Sequence, residues 1–212
     1  MEPIIAQIFT DVLLGHHKEV TIKVKSAIKL GLPPISIMND GMIAAMQEVG
    51  RLFEAGEYYV PEMLVAARAM QSGMSILKPY LTVKDVHPAG KVAIGTVQGD
   101  YHDIGKNLVK MMLEGSGFEV IDLGVDVDPT TFVSAVVNDQ VDIVAMSALI
   151  TTTMQNMQPV IDALEESGHR QQVKILVGGA PLTEEFSQRI GADGYAPDAS
   201  RAVTMAKLLL SK

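Results

Sequence analysis

The second half of the chain alternates short apolar runs with helix-forming segments, and this alternation limits the possible folds more than any other feature. The predicted strands cover 92–97, 119–122, 143–146, 173–177 and 194–196. The predicted helices cover 104–114, 129–138, 154–167, 184–190 and a last segment that ends at Leu210. Because each helix is long enough to carry the chain back across a sheet, we expect a parallel sheet with helices on both faces.

The first part of the chain, from Pro3 to about Tyr80, shows helical spacing of apolar residues and no alternating strand pattern. Helix stops are expected at Gly15, at the Gly-Leu-Pro-Pro run 31–34, and at Gly56, because glycine adopts the left-handed cap and proline cannot continue a helix. This punctuation predicts four helices, the third over 34–55, which form a small antiparallel bundle.

A mixed polar stretch, 82–90, contains a proline and a glycine and separates the two patterns. We interpret it as a linker between a helical domain, 1–85, and a second domain, 90–212. The predicted fold is therefore an N-terminal four-helix bundle followed by an α/β domain, whose five-stranded parallel sheet is flavodoxin-like (Rossmann-like) with strand order 2-1-3-4-5.

The composition of the chain argues against several classes of function. Seventeen Lys and Arg against 25 Asp and Glu give a formal net charge of −8, which argues against nucleic acid as the main partner. The chain has no cysteine, so it has no disulfide framework and no thiolate chemistry. Its first residues lack a basic n-region, and no apolar run approaches the roughly 20 residues of a membrane helix. We expect a soluble cytoplasmic protein that acts neither on nucleic acid nor in a membrane.

In a sheet of this kind, ligands bind outside the carboxyl ends of the strands. The loops expected there are 98–105, 147–153, 178–181 and 196–200, which are rich in glycine and hydroxyl residues. A further loop, 124–128, follows the predicted second strand and is expected on the far side of the crevice.

His102 is the most informative residue of these loops. A lone loop histidine is usually a solvated side chain, but His102 lies between Gly99 and Gly105 and two residues after Asp100. A carboxylate that accepts the second ring N–H is the usual partner of a metal-bound imidazole. The pair Gly178 and Gly179 could be a simple strand-ending turn, or could let a ligand approach the backbone.

Several other templates fail on spacing. The segment from Gly99 to Lys106 lacks the GxxxxGK[ST] phosphate loop, and no GxGxxG dinucleotide loop occurs. A phosphoacceptor receiver would need Asp where the chain has Ser147. No second His or Cys accompanies His102 at zinc-ligand spacing.

The residues 100–105 match the DxHxxG signature of B12-binding domains, and Ser147-Ala148-Leu149 with Gly178-Gly179 match the SxL and GG motifs of that family in the same order. The segment 51–61 resembles the helical cap that lies over the corrin. In length and layout the chain is similar to the corrinoid proteins of methyltransferase systems, and to the cap and B12-binding modules of cobalamin-dependent methionine synthase.

The resemblance implies roles for individual residues. His102 would be the lower axial ligand of cobalt, Asp100 would bind its ring, and Thr153 would complete the relay where the family has serine. Phe53 and Val60 would shield the upper face of the corrin. The cofactor, cobalamin or a related corrinoid, would also contact the following residues of the loops: Asp103, Gly105, Ser147, Leu149, Thr151, Gly178, Gly179, Ala180 and Ala199.

The resemblance also implies a methyl carrier that cycles between methyl-Co(III) and Co(I) in anaerobic one-carbon metabolism. Its expected partners are a substrate-specific corrinoid methyltransferase (for methylamine, betaine, methanol or methoxyaromatics), a second methyltransferase to tetrahydrofolate or coenzyme M, and a reductive activation protein. Two alternatives use the same domain: the B12-binding subunit of an isomerase, and a B12-sensing regulator. The absence of a substrate barrel and of a basic recognition helix disfavours them.

Overall fold

A computed structural model of the protein describes residues 2–81 and 88–211. The chain divides into two compact units, 1–88 with 115–117, and 89–114 with 118–212. The predicted linker 82–90 lies outside the described residues except for 88–90.

The described residues of the N-terminal unit form helices joined by short turns, with no strand among them. Its elements are α1 (Pro3–Leu13), α2 (His17–Lys29), α3 (Pro34–Ser36), a π-helical segment (Ile37–Ile43), α4 (Ala44–Glu54), α5 (Val60–Leu77) and a 3-10 turn (Lys78–Tyr80). The helix predicted over 34–55 is thus a continuous run of α3, the π segment and α4, rather than one regular α-helix. The spacing of apolar residues does not distinguish a regular α-helix from one that contains a π-helical segment, because the π segment only widens one part of the helix.

The core of this unit is apolar with one buried charge. Ile8, Val20, Met42 and Met63 are fully buried, and methionine suits such irregular gaps between helices. Asp11, 7% exposed, pairs with Lys23 and ties α1 to α2.

The second unit contains a five-stranded sheet in the order β2-β1-β3-β4-β5, with every described pairing parallel. The strands are β1 (Lys91–Val97), β2 (Glu119–Val127), β3 (Ile143–Ser147), β4 (Lys174–Gly178) and β5 (Gly194–Ala196). The fold class and the strand order predicted from the alternation are confirmed.

Helices connect and follow the strands: α6 (Ile104–Gly115), α7 (Pro129–Asp139), α8 (Thr151–Met154), α9 (Met157–Glu166), α10 (Glu184–Arg189) and α11 (Ala199–Leu210). On one face of the sheet, Val97, Val144 and Val177 pack in a buried cluster with Phe132 of α7 and Leu164 of α9. Alternate strand positions, such as Val92, Ile94 and Ile143, are buried as well. Because successive strand residues point to opposite faces, both faces of the sheet are covered.

Two predicted elements are wrong in extent. The helix predicted over 154–167 begins three residues earlier and is interrupted between α8 and α9. The strand predicted over 119–122 runs to Val127, so residues 124–127 are not the loop that was expected there. Opposite β1, Gly95 pairs with Gly124 and Val97 with Val127, so β2 uses one extra residue in this interval. Such a bulge bends the strand and redirects a side chain.

Candidate functional site

Asp100, His102 and Thr153 meet at the carboxyl end of the sheet. Oδ1 of Asp100 lies 2.7 Å from Nδ1 of His102, and its Oδ2 accepts a 2.6 Å hydrogen bond from Oγ1 of Thr153. Because a carboxylate can only accept, Nδ1 carries a proton, so Nε2 is the ring nitrogen whose lone pair can bind a metal. In the described part of the chain Nε2 makes no hydrogen bond, and the His102 side chain is 53% exposed. This geometry leaves one imidazole nitrogen free to bind a metal.

The Asp100 carboxylate is the buried centre of the site. It is 1% exposed and also accepts hydrogen bonds from the backbone N–H groups of His102 and Leu149. Burial by itself would raise the pKa of Asp100, but the hydrogen bonds from Thr153, Leu149 and His102 outweigh it and hold the pKa well below its usual value. The carboxylate is therefore negatively charged beside the imidazole at neutral pH.

Two hydrogen bonds hold the backbone of the loop that carries His102, one from β1 and one from the turn between α8 and α9. The hydroxyl of Thr96, in β1, donates to the carbonyl oxygen of His102 at 3.0 Å. The Asn156 amide donates to the carbonyl oxygen of Gln98 at 2.7 Å. These bonds limit the backbone motion of the histidine.

Asp126 is a residue of this site that sequence reasoning missed. It lies in β2, where the 124–128 loop was expected on the far side, and its carboxylate accepts hydrogen bonds from the Gly99 N–H at 2.7 Å and the Tyr101 hydroxyl at 2.8 Å. These two bonds lower the pKa of Asp126, and the carboxylate in turn raises the pKa of Tyr101. The local sequence signal that could have indicated the bulge is Gly124, a glycine inside β2 with a φ of +88°, because glycine in a strand often marks such an irregularity.

A buried ion pair lies at the base of α6. Lys106 is 2% exposed, and its Nζ lies 2.6 Å from Asp122, which Lys110 also contacts at 3.1 Å. Burial would raise the pKa of Asp122, but these lysines and the Gly124 N–H lower it. The pair joins α6, which begins two residues after His102, to β2.

The predicted SxL and GG residues align across the ends of the strands. Ser147 pairs with Thr96 on one side and with Gly178 on the other, and Gly178 pairs with Ala196. Gly179 has a φ of +134°, and a Cβ there would lie 1.9 Å from the Ala148 carbonyl oxygen. Glycine at 179 is therefore required by the close approach of two chain segments, independently of any ligand.

Gly105 has the opposite character. It lies in α6 without a positive φ, and a Cβ built on it would meet no protein atom within 4 Å. Neither backbone strain nor packing explains this glycine, so the space beside it is available for a ligand. Four exposed apolar side chains lie in the loop of His102 or at its end, and in the loop after β3: Tyr101, Ile104, Leu149 and Ile150.

The remaining predicted residues of the second unit differ in accessibility. Asp103 is exposed and accepts a hydrogen bond from Asn107, Thr151 is the exposed first residue of α8, and Ala180 is exposed after β4. Ala199, the first residue of α11, is 4% exposed, so its side chain offers little surface to a ligand.

Phe53 and Val60 belong to the helical unit. Phe53, near the end of α4, is partly buried, and Val60, the first residue of α5, is 40% exposed. Their neighbours Leu52 and Met63 fill the bundle core instead. Phe53 and Val60 thus retain apolar surface that the core of the unit does not use.

Comparison with known proteins places both units in one family. Residues 90–204 match a family described as B12 binding domain, and residues 4–78 match a second model with that description. The chain belongs to the B12-binding family of corrinoid proteins, and its cofactor is cobalamin or a related corrinoid.

Among similar sequences, the dimethylamine corrinoid protein 3 of Methanosarcina acetivorans is 41% identical over 200 residues, 94% of each chain. The trimethylamine corrinoid protein of Methanosarcina barkeri is 43% identical over 187 residues, 87% of this chain and 86% of the relative. Among solved structures, the methanol:cobalamin methyltransferase complex of Methanosarcina barkeri matches with a TM-score of 0.89 and 29% identity over 99% of this chain and 80% of that one. A cobalamin-binding protein from Desulfitobacterium hafniense matches with a TM-score of 0.80 and 30% identity, covering 97% and 98%.

The residues present fit a corrinoid. His102 offers one free nitrogen, Gly105 leaves space at the start of α6, and the exposed apolar side chains suit the largely apolar faces of a macrocycle. In the described ranges, no three His, Cys, Asp or Glu side chains are grouped so as to hold a metal ion by themselves. The helices of the same ranges include none that is long and apolar enough to cross a membrane.

Proposed function

We propose that this chain is a methyl carrier that binds its corrinoid with His102 as the lower axial ligand of cobalt. The observation that carries the proposal is the arrangement of His102 and Asp100, in which a buried carboxylate binds Nδ1 and leaves Nε2 free and exposed. When bound, the cobalt supplies the nucleophile that accepts and releases the methyl group, and the protein supplies orientation and exclusion of water.

The relay residues act through the imidazole. Asp100 holds the Nδ1 proton and fixes the direction of the ring, and its negative charge increases the electron-donating power of Nε2. Thr153 donates to the other carboxylate oxygen and keeps Asp100 in place. Threonine keeps the hydroxyl for which serine is expected in this family, so Thr153 can take the third place in the relay.

The tail of the corrinoid nucleotide, displaced from cobalt by His102, would enter the crevice at the ends of β1, β3 and β4. Ser147 and Gly178 lie side by side there, and Leu149 and Thr151 follow β3 with exposed side chains. Gly179 and Ala180 would contribute backbone, and Asp103 and Gly105 would line the start of α6. Ala199 is buried, so we assign it only a backbone contact.

Phe53 and Val60 would cover the upper face of the corrin. A strongly reducing nucleophile must be kept from water and oxygen, and apolar side chains on a separate unit are suited to this because the unit can withdraw during methyl transfer. Their unused apolar surface supports this role over a role in the bundle core.

The methyl donor in this proposal is a methylated amine. Dimethylamine and trimethylamine corrinoid proteins are 41–43% identical to the chain over most of its length, whereas the methanol:cobalamin complex is 29% identical. A methylamine methyltransferase would load the carrier, a second methyltransferase acting on tetrahydrofolate or coenzyme M would unload it, and a reductive activation protein would restore oxidised cobalt.

The axial ligand is tested by electron paramagnetic resonance of the Co(II) form, where a coordinated imidazole splits the cobalt signal through its nitrogen. We expect the splitting in the wild type and its loss in His102→Ala. His16→Ala is the matched control, because His16 also contacts an aspartate through Nδ1 and is also 53% exposed. Identical spectra for the wild type and His102→Ala would refute the assignment.

The donor is tested by supplying the Co(I) carrier with purified dimethylamine, trimethylamine and methanol methyltransferases and their substrates. Visible absorbance measures methylation of the carrier. Faster methylation of the carrier by the methanol methyltransferase with methanol than by either amine methyltransferase with its amine would contradict the proposed donor.

A further inference from the structure

The loop that carries His102 has a second carboxylate besides Asp100, and it comes from β2. Oδ1 of Asp126 accepts a hydrogen bond from the Gly99 N–H, and Oδ2 accepts one from the Tyr101 hydroxyl. The Asp126 N–H donates to the Asp100 carbonyl oxygen at 3.0 Å. One residue of β2 thus binds three consecutive residues of the loop.

The backbone of Asp126 is specialised for this contact. Its φ is +55°, one of two positive values at non-glycine positions in the described chain. Aspartate tolerates this conformation better than most residues, but it still costs free energy. The bulge in β2 creates this conformation, and without the extra residue the side chain would follow the normal strand alternation.

The contacts of Asp126 complement those of Asp100. The side chain of Asp100 ties the loop to Thr153 and to the Leu149 N–H, on the β3 side. Asp126 ties the same loop to β2, on the opposite side of β1. The loop that carries His102 is therefore held on both sides of β1 instead of on one side only.

We propose that Asp126 is a positioning residue for the axial histidine: through Gly99 and Tyr101 it holds the 99–102 loop in the conformation that directs Nε2 of His102 to cobalt. This inference rests on the proposed role of His102. It also gives a function to the Tyr101 hydroxyl, which anchors an otherwise 69% exposed aromatic ring.

The decisive variant is Asp126→Gly, because glycine accepts the positive φ and keeps the backbone N–H, so only the carboxylate is lost. We expect cobalamin affinity to fall about tenfold, the lower end of the usual loss for a residue behind a metal ligand, with a weaker axial nitrogen splitting in the Co(II) form. Asp126→Asn should restore most of both, since its amide oxygen can accept from Gly99 and its NH₂ can donate to the tyrosine oxygen. Tyr101→Phe removes one of the two side-chain hydrogen bonds of Asp126 and should lower affinity less than Asp126→Gly does.

Gln140→Gly is the matched control. Gln140 is the other non-glycine residue with a positive φ, at 53°, and it ends α7. Its replacement should leave affinity and spectrum unchanged, which separates loss of the carboxylate from the effect of a glycine at a left-handed position.

The outcomes distinguish this inference from the proposed function. If wild type and His102→Ala give the same spectrum, the axial ligand itself is wrong. The positioning role is refuted if wild type shows the nitrogen splitting and Tyr101→Phe keeps both the splitting and wild-type cobalamin affinity, provided that Asp126→Gly also keeps both or fails to fold. A lower cobalamin affinity in Tyr101→Phe, together with an affinity close to wild type in Asp126→Asn, supports the positioning role even if Asp126→Gly is unstable.

Discussion

Asp100→Asn is the most informative single substitution, because it changes one atom at the buried centre of the site. The carboxylate accepts four hydrogen bonds, two on each oxygen: Oδ1 from the ring and backbone of His102, and Oδ2 from Leu149 and Thr153. An asparagine that keeps its oxygen toward His102 must turn its NH₂ toward the Leu149 N–H. The Thr153 hydroxyl can rotate to accept, but the Leu149 N–H cannot.

The size of the effect follows from these bonds. The unpaired Leu149 N–H should lower the free energy of unfolding by about 1–3 kcal/mol. Separately, the Nδ1 hydrogen bond loses its charge assistance, so the imidazole becomes a weaker ligand. Loss of such a partner weakens metal binding by about 10- to 100-fold, and we expect this range for cobalamin affinity.

The assay is titration of the apoprotein with cobalamin, followed by the spectral change on His102 binding, together with thermal unfolding of the apoprotein. Asp162→Asn is the control, because it makes the same chemical change on an exposed aspartate of α9 in the same unit. Thr153→Val, which removes one of the four bonds and keeps the shape, should have a smaller effect than Asp100→Asn. Wild-type affinity in a folded Asp100→Asn protein would refute the relay.

Three further predictions concern the surroundings of the site. Gly105→Ala should keep or slightly raise the thermal stability of the apoprotein, since alanine favours helix by up to about 1 kcal/mol, but it should weaken cobalamin binding. Gly179→Ala, in contrast, should destabilise the fold itself. Equal cobalamin affinity in Gly105→Ala and wild type would show that no ligand uses the space beside Gly105. Lys106→Met leaves Asp122 partly buried with one lysine fewer, and it should lower the free energy of unfolding in urea by up to about 3 kcal/mol. Lys110→Met, at the more exposed position, should lower it by less than about 1 kcal/mol. Equal losses of unfolding free energy in the two variants would contradict the role of the buried pair. The pKa of Asp122 is lower in the folded than in the unfolded protein, so its contribution to stability is present above its unfolded pKa of about 3.9 and is lost as pH falls through the folded value. Unfolding midpoints measured from pH 6 to pH 2 should therefore fall less steeply in Asp122→Asn than in wild type.

Local sequence predicted most of the architecture because the relevant signals are local. Strand and helix alternation depends on apolar residues a few positions apart, and it predicted all five strands, with 194–196 placed at the bounds observed. The approach of Asp100 to His102 was equally predictable, since the two are separated by one residue. Thr153 lies 53 positions from Asp100, and it was predicted only through the resemblance to a known family.

The sequence by itself determined the order of elements, the two types of unit and the presence of a histidine with an adjacent carboxylate. Only the tertiary structure decided how far β2 extends, and therefore that Asp126 reaches the loop of His102. The physical reason is that a bulge is a property of strand pairing: the extra residue exists only relative to the register of β1. The same holds for Gly179, whose need for glycine comes from the Ala148 carbonyl of another strand end, a neighbour that no local pattern in the sequence reveals.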